Sequence, residues 1–363
     1  MNVAIAGAGV IGSAIAYYLS LRGVAATVIE RHRVAGAASG KSGGFLARDW
    51  CTGQAQDGLA RLSFDLHTDL STALDAEYGY RRVDTYAVSV SERRSLKGSG
   101  EGLASDWISD ECAVHQQLGD QSSTAQLIPD LFTHALLDQA LVNGALLIQG
   151  EVTGVVCDAG AGRLSAVEVN GERIDADALV IAMGPWSVLA AQWMSLPAVY
   201  GLKSPSITLA AGTTTASEVL FLDYEDEHGK RHDPELVPRA DGEYYICGFS
   251  DDAPLPVAPE HVSADEAQCD RLQAVAAHVA AELGEATVSR RQACYRPICE
   301  DAMPVMGAVA GLEGAYVATA HNCWGMLNAP ATGFVMAELI ADGVSSELDL
   351  SAFAPARLPA FSF

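Results

Sequence analysis

Residues 3–30 read VAIAGAGVIGSAIAYYLSLRGVAATVIE, and the order of runs in this stretch decides the fold. Val3–Ala6 is a short apolar run of strand type, Gly7-Ala8-Gly9-Val10-Ile11-Gly12 follows it, and a helical stretch continues to about Leu21. After Gly23, Ala26–Ile29 forms a second apolar run that ends in Glu30. Strand, glycine turn, helix and second strand in this order open a βαβ unit. The glycines serve separate purposes. Gly7 makes the tight turn, Gly9 lets the backbone approach a pyrophosphate, and Gly12 lets helix and strand pack closely. An anion at the helix N-terminus then faces unpaired amide hydrogens and the positive end of the helix dipole. Glu30, 23 positions after Gly7, can accept hydrogen bonds from both ribose hydroxyls, which favours FAD or NAD over NADP.

Composition bounds the class around this unit. A chain of 363 residues with 49% apolar and 19% charged residues suggests about two compact domains and excludes extended disorder. Lys plus Arg number 22 against 46 Asp plus Glu, a formal charge of −24. That charge repels phosphate backbones and anionic membrane surfaces, so nucleic acid is not an expected partner. The eight cysteines, at 51, 112, 157, 247, 269, 294, 299 and 323, include no Cys-x-x-Cys pair and no Cys/His cluster at zinc spacing. Neither a metal nor a disulfide framework is expected, and a reducing, cytoplasmic interior is the default compartment. Residues 3–21 carry no charge, but three glycines punctuate them and no Lys or Arg precedes them. They read as the opening of a soluble protein, not as a leader or membrane span.

A second small-residue loop, Ala37-Ala38-Ser39-Gly40-Lys41-Ser42-Gly43-Gly44-Phe45, offers amides farther along an extended cofactor, where an NAD enzyme rarely needs them. Pro129-Asp130-Leu131-Phe132 opens a helix to about Asn143, and Ala178–Ala182 is a buried-type run before Met183-Gly184-Pro185-Trp186-Ser187. Leu236–Gly248 reads as a hairpin with Asp241-Gly242 as its turn. On these residues the chain resembles, almost end to end, the D-amino acid oxidase (DAO) superfamily of FAD-dependent oxidoreductases, which includes glycine oxidase and sarcosine oxidase. The nearest pattern is a poorly characterised branch of oxidoreductases sharing ASGKxGGFLAxDWC and CWGxLNAPATG.

The resemblance implies an α/β fold in which a Rossmann-type FAD-binding domain is interleaved with an α+β substrate domain built on a mixed or antiparallel sheet. The FAD domain is expected from 1–85, 126–203 and 293–363, and the substrate domain from 86–125 and 204–292. It implies FAD as cofactor, held by Gly7, Gly9, Val10, Ile11, Gly12, Glu30, Arg31, Ser39, Lys41, Ser42, Gly43, Gly44, Phe45, Val152, Ala182, Gly184, Trp186, Gly325, Met326, Leu327 and Asn328. Between these domains' motifs, Ser91–Ser105 and Asp223–Pro234 read as exposed loops, and Ala264–Leu283 as a helix with Leu272, Val275, Ala276 and Val279 on its core face.

The last third carries the chemistry. Cys294-Tyr295-Arg296-Pro297 with Asp301–Gly307 is similar to the segment in amino-acid oxidases whose arginine clamps the substrate carboxylate, a role suited to its planar fork. Thr319–Gly333, read as an irregular loop before a helix to Ala341, is expected to face the flavin pyrimidine with its amides and the helix N-terminus. Arg296, His321 and Tyr245 are the candidate catalytic residues. Cys294 falls near the position of a flavin thioether in sarcosine oxidases, but the Tyr295-Arg296-Pro297 that follows is closer to the non-covalent enzymes, so an inert buried thiol is expected. Asp49-Trp50-Cys51 departs from the glycine oxidase pattern and argues against a simple glycine-like substrate. The implied reaction takes a small amino acid or amine, oxidises its Cα–N bond by hydride transfer to flavin N5 to give an imine, and with oxygen yields hydrogen peroxide. A 2-hydroxy-acid dehydrogenase with His321 as base and a flavin-binding protein without turnover stay open at this point, with an NAD-dependent dehydrogenase more distant.

Overall fold

The computed structural model describes residues 1–96, 107–158, 160, 162–211 and 216–362. From residue 97 onward the polar stretch 91–105 lies outside them. Two sheets organise the rest. Their strands, in chain order, are β1 (Val3–Ala6), β2 (Ala26–Glu30), β3 (Asp84–Ser91), β4 (Ala113–Gly119), β5 (Leu146–Gln149), β6 (Ala178–Ile181), β7 (Tyr200–Ala210), β8 (Glu218–Glu225), β9 (Glu235–Pro238), β10 (Glu243–Cys247), β11 (Thr287–Ile298), β12 (Val305–Ala308) and β13 (Ala315–Thr319). The helices that matter here are α1 (Val10–Leu21), α2 (Asp57–Ala73), α3 (Pro129–Val142), α4 (Glu266–Val279) and α5 (Gly325–Asp342).

The first sheet is six-stranded in the order β12-β13-β6-β1-β2-β5, parallel except for the antiparallel edge strand β12. Its central strands are buried on both faces, as β1 and β6 show with every residue inside, and they read as unbroken apolar runs for that reason. One face is covered by α1, α5, α2 and α3 through Ile5, Val28, Ile15, Phe64, Phe132 and Leu327. The other face meets a three-stranded antiparallel sheet of 152–157, 164–169 and 172–175.

The second sheet has eight strands. Seven run in the order β11-β7-β10-β9-β8-β3-β4, and a short strand, Arg231–His232, pairs with β8. It is antiparallel except for the parallel β8·β3 pair, and α4 packs one face with Leu272, Val275, Ala276 and Val279. The Asp223–Pro234 segment is therefore a hairpin, not a plain loop: Tyr224 and Glu225 pair with His232 and Arg231 around a tight turn. β3, β7 and β11 run through positions 85/86, 203/204 and 292/293, so three of the four expected segment boundaries fall within strands of this one sheet, and Arg296 stands on it; the fourth, 125/126, falls in a short strand, Thr124–Gln126, of another sheet.

A second difference concerns α5. The helix begins at Gly325, not after Gly333, and carries Pro330 inside it. Proline lacks an N–H and ordinarily ends a helix, which is why the sequence reads as a loop here. Tertiary contacts from α2 supply what the ladder loses. Pro330 cannot donate to Met326 O, and the Ala331 N–H is drawn off to Ser63 Oγ at 3.0 Å, so the Met326 and Leu327 carbonyls need another donor. His67 Nε2 lies 3.0 and 3.1 Å from them. His67 is fully buried, and burial pushes its pKa down to about 4, so the ring is neutral and its Nε2–H donates to both oxygens.

Candidate active site

The glycine turns and one face of the eight-stranded sheet enclose a cavity of about 680 Å³, well within the size of cofactor and substrate sites. It lies at the C-terminal ends of β1, β2, β6 and β13. There the strand order reverses between β1 and β6, the place where open parallel sheets take ligands. Gly7 holds φ +107°, and a Cβ there would come within 2.5 Å of Ala182 O. The turn after β1 therefore tolerates glycine alone. Ser39 Oγ accepts the Val10 N–H at 2.9 Å, which fixes the second glycine loop to the start of α1. The Glu30 carboxylate accepts the Ala8 and His32 N–H groups, each at 2.8 Å, and lines the cavity.

The opposite wall follows from sheet register. Cross-strand partners share a face, and residues two apart in a strand share it too. Phe221 pairs with Glu235, Glu235 with Cys247, Cys247 with Ser206, and Ser206 with Gln292. This row crosses β8, β9, β10, β7 and β11 on the face turned to the cavity. Two residues along β10 from Cys247 stands Tyr245, and two and four along β11 from Gln292 stand Cys294 and Arg296. Phe221, Glu235, Tyr245, Cys247, Cys294 and Arg296 all line the cavity, together with Phe45, Trp50 and Trp324.

Arg296 donates from Nη2 to Ser250 Oγ at 3.1 Å, and its Nε is buried without a partner. Among the described residues no carboxylate lies within ion-pair distance of it. Tyr245 is buried, and burial pushes its phenol well above the usual range. The Arg239 guanidinium stacks on its ring at 4.8 Å and donates to Ser42 O at 2.8 Å, which ties the loop 42–45 to the hairpin. His321 is 2% exposed, its Nε2 is 3.0 Å from Thr332 Oγ1, and burial lowers its pKa to about 3. Its neighbours Ala320 and Asn322 hold left-handed backbone, φ +60° and +51°, the kind of local strain that surrounding structure must impose. Burial raises the Cys294 thiol, with Lys41 and Arg296 pulling the other way, so the group is a neutral thiol at the cavity wall. All eight cysteines are free.

Most of the residues singled out in the sequence line this one cavity: Gly7, Gly9, Val10, Ile11, Glu30, Arg31, Ser39, Ser42, Gly43, Gly44, Phe45, Val152, Ala182, Gly184, Trp186, Gly325 and Met326, with Arg296, His321 and Tyr245. Gly12, Lys41, Leu327 and Asn328 do not line it. Gly12 packs against the Gly7 carbonyl. The Lys41 ammonium donates to Ala293 O at 3.0 Å, and burial lowers its pKa. Leu327 and Asn328 are turned inward because α5 starts at Gly325, and both are wholly buried. Glu235, Cys247, Phe221 and Arg239 were not among the expected site residues. Alternation along the hairpin puts Glu235 and Val237 on one face, but no local signal says what that face covers.

The cavity suits a long ligand with donors and acceptors along its length. Buried polar atoms of its lining without protein partners comprise both kinds: Ser42 Oγ, Asn322 Oδ1, His321 Nδ1 and Arg296 Nε. Among the described residues no group of His, Cys, Asp and Glu could hold a metal ion, and no helix is long and apolar enough to cross a membrane. The DAO family model, described as FAD dependent oxidoreductase, matches residues 2–339. The Schizosaccharomyces pombe protein named "Putative oxidoreductase C1F5.03c" is 31% identical over 378 residues, covering 96% of this chain and 97% of that one. The glycine oxidase of Pseudomonas aeruginosa is 26% identical over 376 residues, 98% of each chain. The crystal structure of glycine oxidase from Geobacillus kaustophilus matches with a TM-score of 0.80 over 98% of each chain at 22% identity, a likeness of fold.

Proposed function

Because the chain belongs to the DAO family of FAD-dependent oxidoreductases, we propose that it oxidises the Cα–N bond of a small amino acid or secondary amine. The residues fit the cofactor. Gly7, Gly9, Val10 and Ile11 would hold the pyrophosphate, Glu30 the ribose and Val152 the adenine side. Ser42, Gly43, Gly44, Gly184, Gly325 and Met326 would surround the flavin. When bound, FAD supplies the acceptor for the hydride leaving Cα, water hydrolyses the imine, and oxygen taking the electron pair yields hydrogen peroxide.

The observation that carries this reading is Arg296. A guanidinium at a cavity wall with no carboxylate partner among the described residues is matched to an anionic ligand, because its fork donates to two carboxylate oxygens at once. Fixing the carboxylate in this way fixes Cα and its amine in turn. The start of α5, with Gly325 and Met326 at the cavity, adds the positive end of a helix dipole. His321, held neutral with a pKa of about 3, is too weak a base to take a hydroxyl proton near neutral pH. This weighs against 2-hydroxy-acid dehydrogenation, whereas a neutral amine needs no such base. Eight free thiols support a reducing, cytoplasmic compartment, and the charge of −24 supports small molecules over nucleic acid as partners.

The test is an anaerobic flavin-bleaching screen with D- and L-amino acids, N-methyl amino acids and 2-hydroxy acids, on native enzyme and Arg296→Ala. Amino or N-methyl amino acids should bleach the native enzyme. The variant should keep its FAD and lose about 1.5–3 kcal/mol towards carboxylate substrates, the worth of a charge-assisted bond. Equal rates for the two proteins would remove Arg296 from the reaction, and bleaching by hydroxy acids alone would replace the amine reading.

A further inference from the structure

We propose that the site selects amino acids with a cationic side chain, Glu235 receiving the distal cation while Arg296 holds the carboxylate. The inference rests on the amine-oxidation reading for the reaction, but not for the recognition.

Two opposite charges stand on one wall. Glu235 on β9 and Arg296 on β11 share the cavity face of the eight-stranded sheet. Two strands, β10 and β7, lie between them, and Arg296 is displaced four residues along its strand from the row that contains Glu235. At ~4.8 Å per strand and ~3.3 Å per residue the backbones stand roughly 19 Å apart along the diagonal. Both side chains line the same cavity. They form no ion pair with each other, and among the described residues neither has an ion-pair partner.

Among the described residues Glu235 has no strong partner: the one side-chain hydrogen bond to its carboxylate there comes from Cys247 Sγ at 3.4 Å, and a thiol is a weak donor. A carboxylate removed from water without a cation or strong donors is costly. Burial raises its pKa above the usual range, and the nearby Asp233 carboxylate adds to this, while Arg296 pulls it down. Asp233 also lines the cavity. Two carboxyl groups, Glu235 and Asp233, thus stand at this end of the site, and a guanidinium at the other.

The walls beside Glu235 suit the same ligand. Phe221 is its cross-strand partner, Trp50 packs on Phe221 with centroids 4.8 Å apart, and Phe45 lies 5.1 Å from each. Aromatic rings bury an alkyl stem and offer negative faces to the cation at its end. A glycine-sized substrate would leave these rings and Glu235 without contact.

The probe is 6-aminohexanoate, which has the carboxylate and distal ammonium of lysine but no α-amine to oxidise. Titration calorimetry on the FAD-loaded enzyme should show it binding at least tenfold tighter than hexanoate, and in Glu235→Gln the ratio should fall to about one. In the bleaching assay, the preference of the native enzyme for lysine over norleucine, and for arginine over citrulline, should fall at least tenfold in the same variant. No discrimination by the native enzyme, or a preference kept by Glu235→Gln, overturns the proposal. If 6-aminohexanoate is selected through Glu235 while no amino acid bleaches the flavin, the recognition stands and the oxidation reading fails. If amino acids bleach the flavin without that selection, the oxidation reading stands and the recognition fails.

Discussion

Replacing His67 by leucine tests how α5 is held at the site. The native ring donates through Nε2 to the Met326 and Leu327 carbonyls, which Pro330 and Ser63 leave outside the helical ladder. Leucine fills similar space but cannot donate, so two buried acceptors lose their partner, at about 1–3 kcal/mol each. Packing of the new side chain offsets part of that, so a net loss of roughly 2–4 kcal/mol is expected at pH 7.5. The pH dependence separates this cause from general loosening. His67 has a folded pKa of about 4 against an ordinary 6.5. Between those values the unfolded chain binds the extra proton, so the native protein loses stability as pH falls through the window, by about 3 kcal/mol in all. Leucine has no proton to bind, so the difference between the two proteins should shrink by about that amount from pH 7 to pH 4. His321 titrates in both proteins and cancels. Urea unfolding followed by circular dichroism, with FAD saturating, gives the two curves. Parallel curves across this range, or a variant as stable as the native protein at pH 7.5, would refute the reasoning.

Three further outcomes follow from the geometry. Gly7→Ala should abolish FAD retention on gel filtration, since its Cβ would lie 2.5 Å from Ala182 O at a φ of +107°; a yellow variant would show that the turn can move. Asp301 accepts two hydrogen bonds from Arg357, at 2.8 and 2.9 Å, which hold its pKa down to about 2 and fasten the C-terminal segment. Asp301→Asn should therefore cost about 1–2 kcal/mol at pH 7, discounted for partial exposure, and the gap to the native protein should close as pH falls from about 4 to 2. A gap that persists at pH 2 would exclude the ion pair as its source. Acid precipitation should release all the flavin into the supernatant, as expected for a neutral Cys294 thiol; yellow colour kept in the pellet would establish a covalent tether.

The sequence alone determined the dinucleotide half, because its signals are short-range. A turn that requires φ +107° at Gly7, a helix that starts beside it, and an acid at the end of the next strand are all set by neighbours within about thirty residues, and the fold places each where its local signal puts it. The hairpin around Asp241-Gly242 was legible for the same reason. Where α5 begins was not: Pro330 forbids a helix on local grounds, and only donors and acceptors from α2, some 260 residues earlier, make it possible. Most of the site's residues were legible, Arg296 among them, but Glu235 and Cys247 were not. Glu235, Cys247 and Arg296 share a wall because four strands adopt one register, and register depends on which apolar faces the whole fold buries. Local chemistry fixes turns and caps; the meeting of distant charges is decided by the packing that brings their strands together.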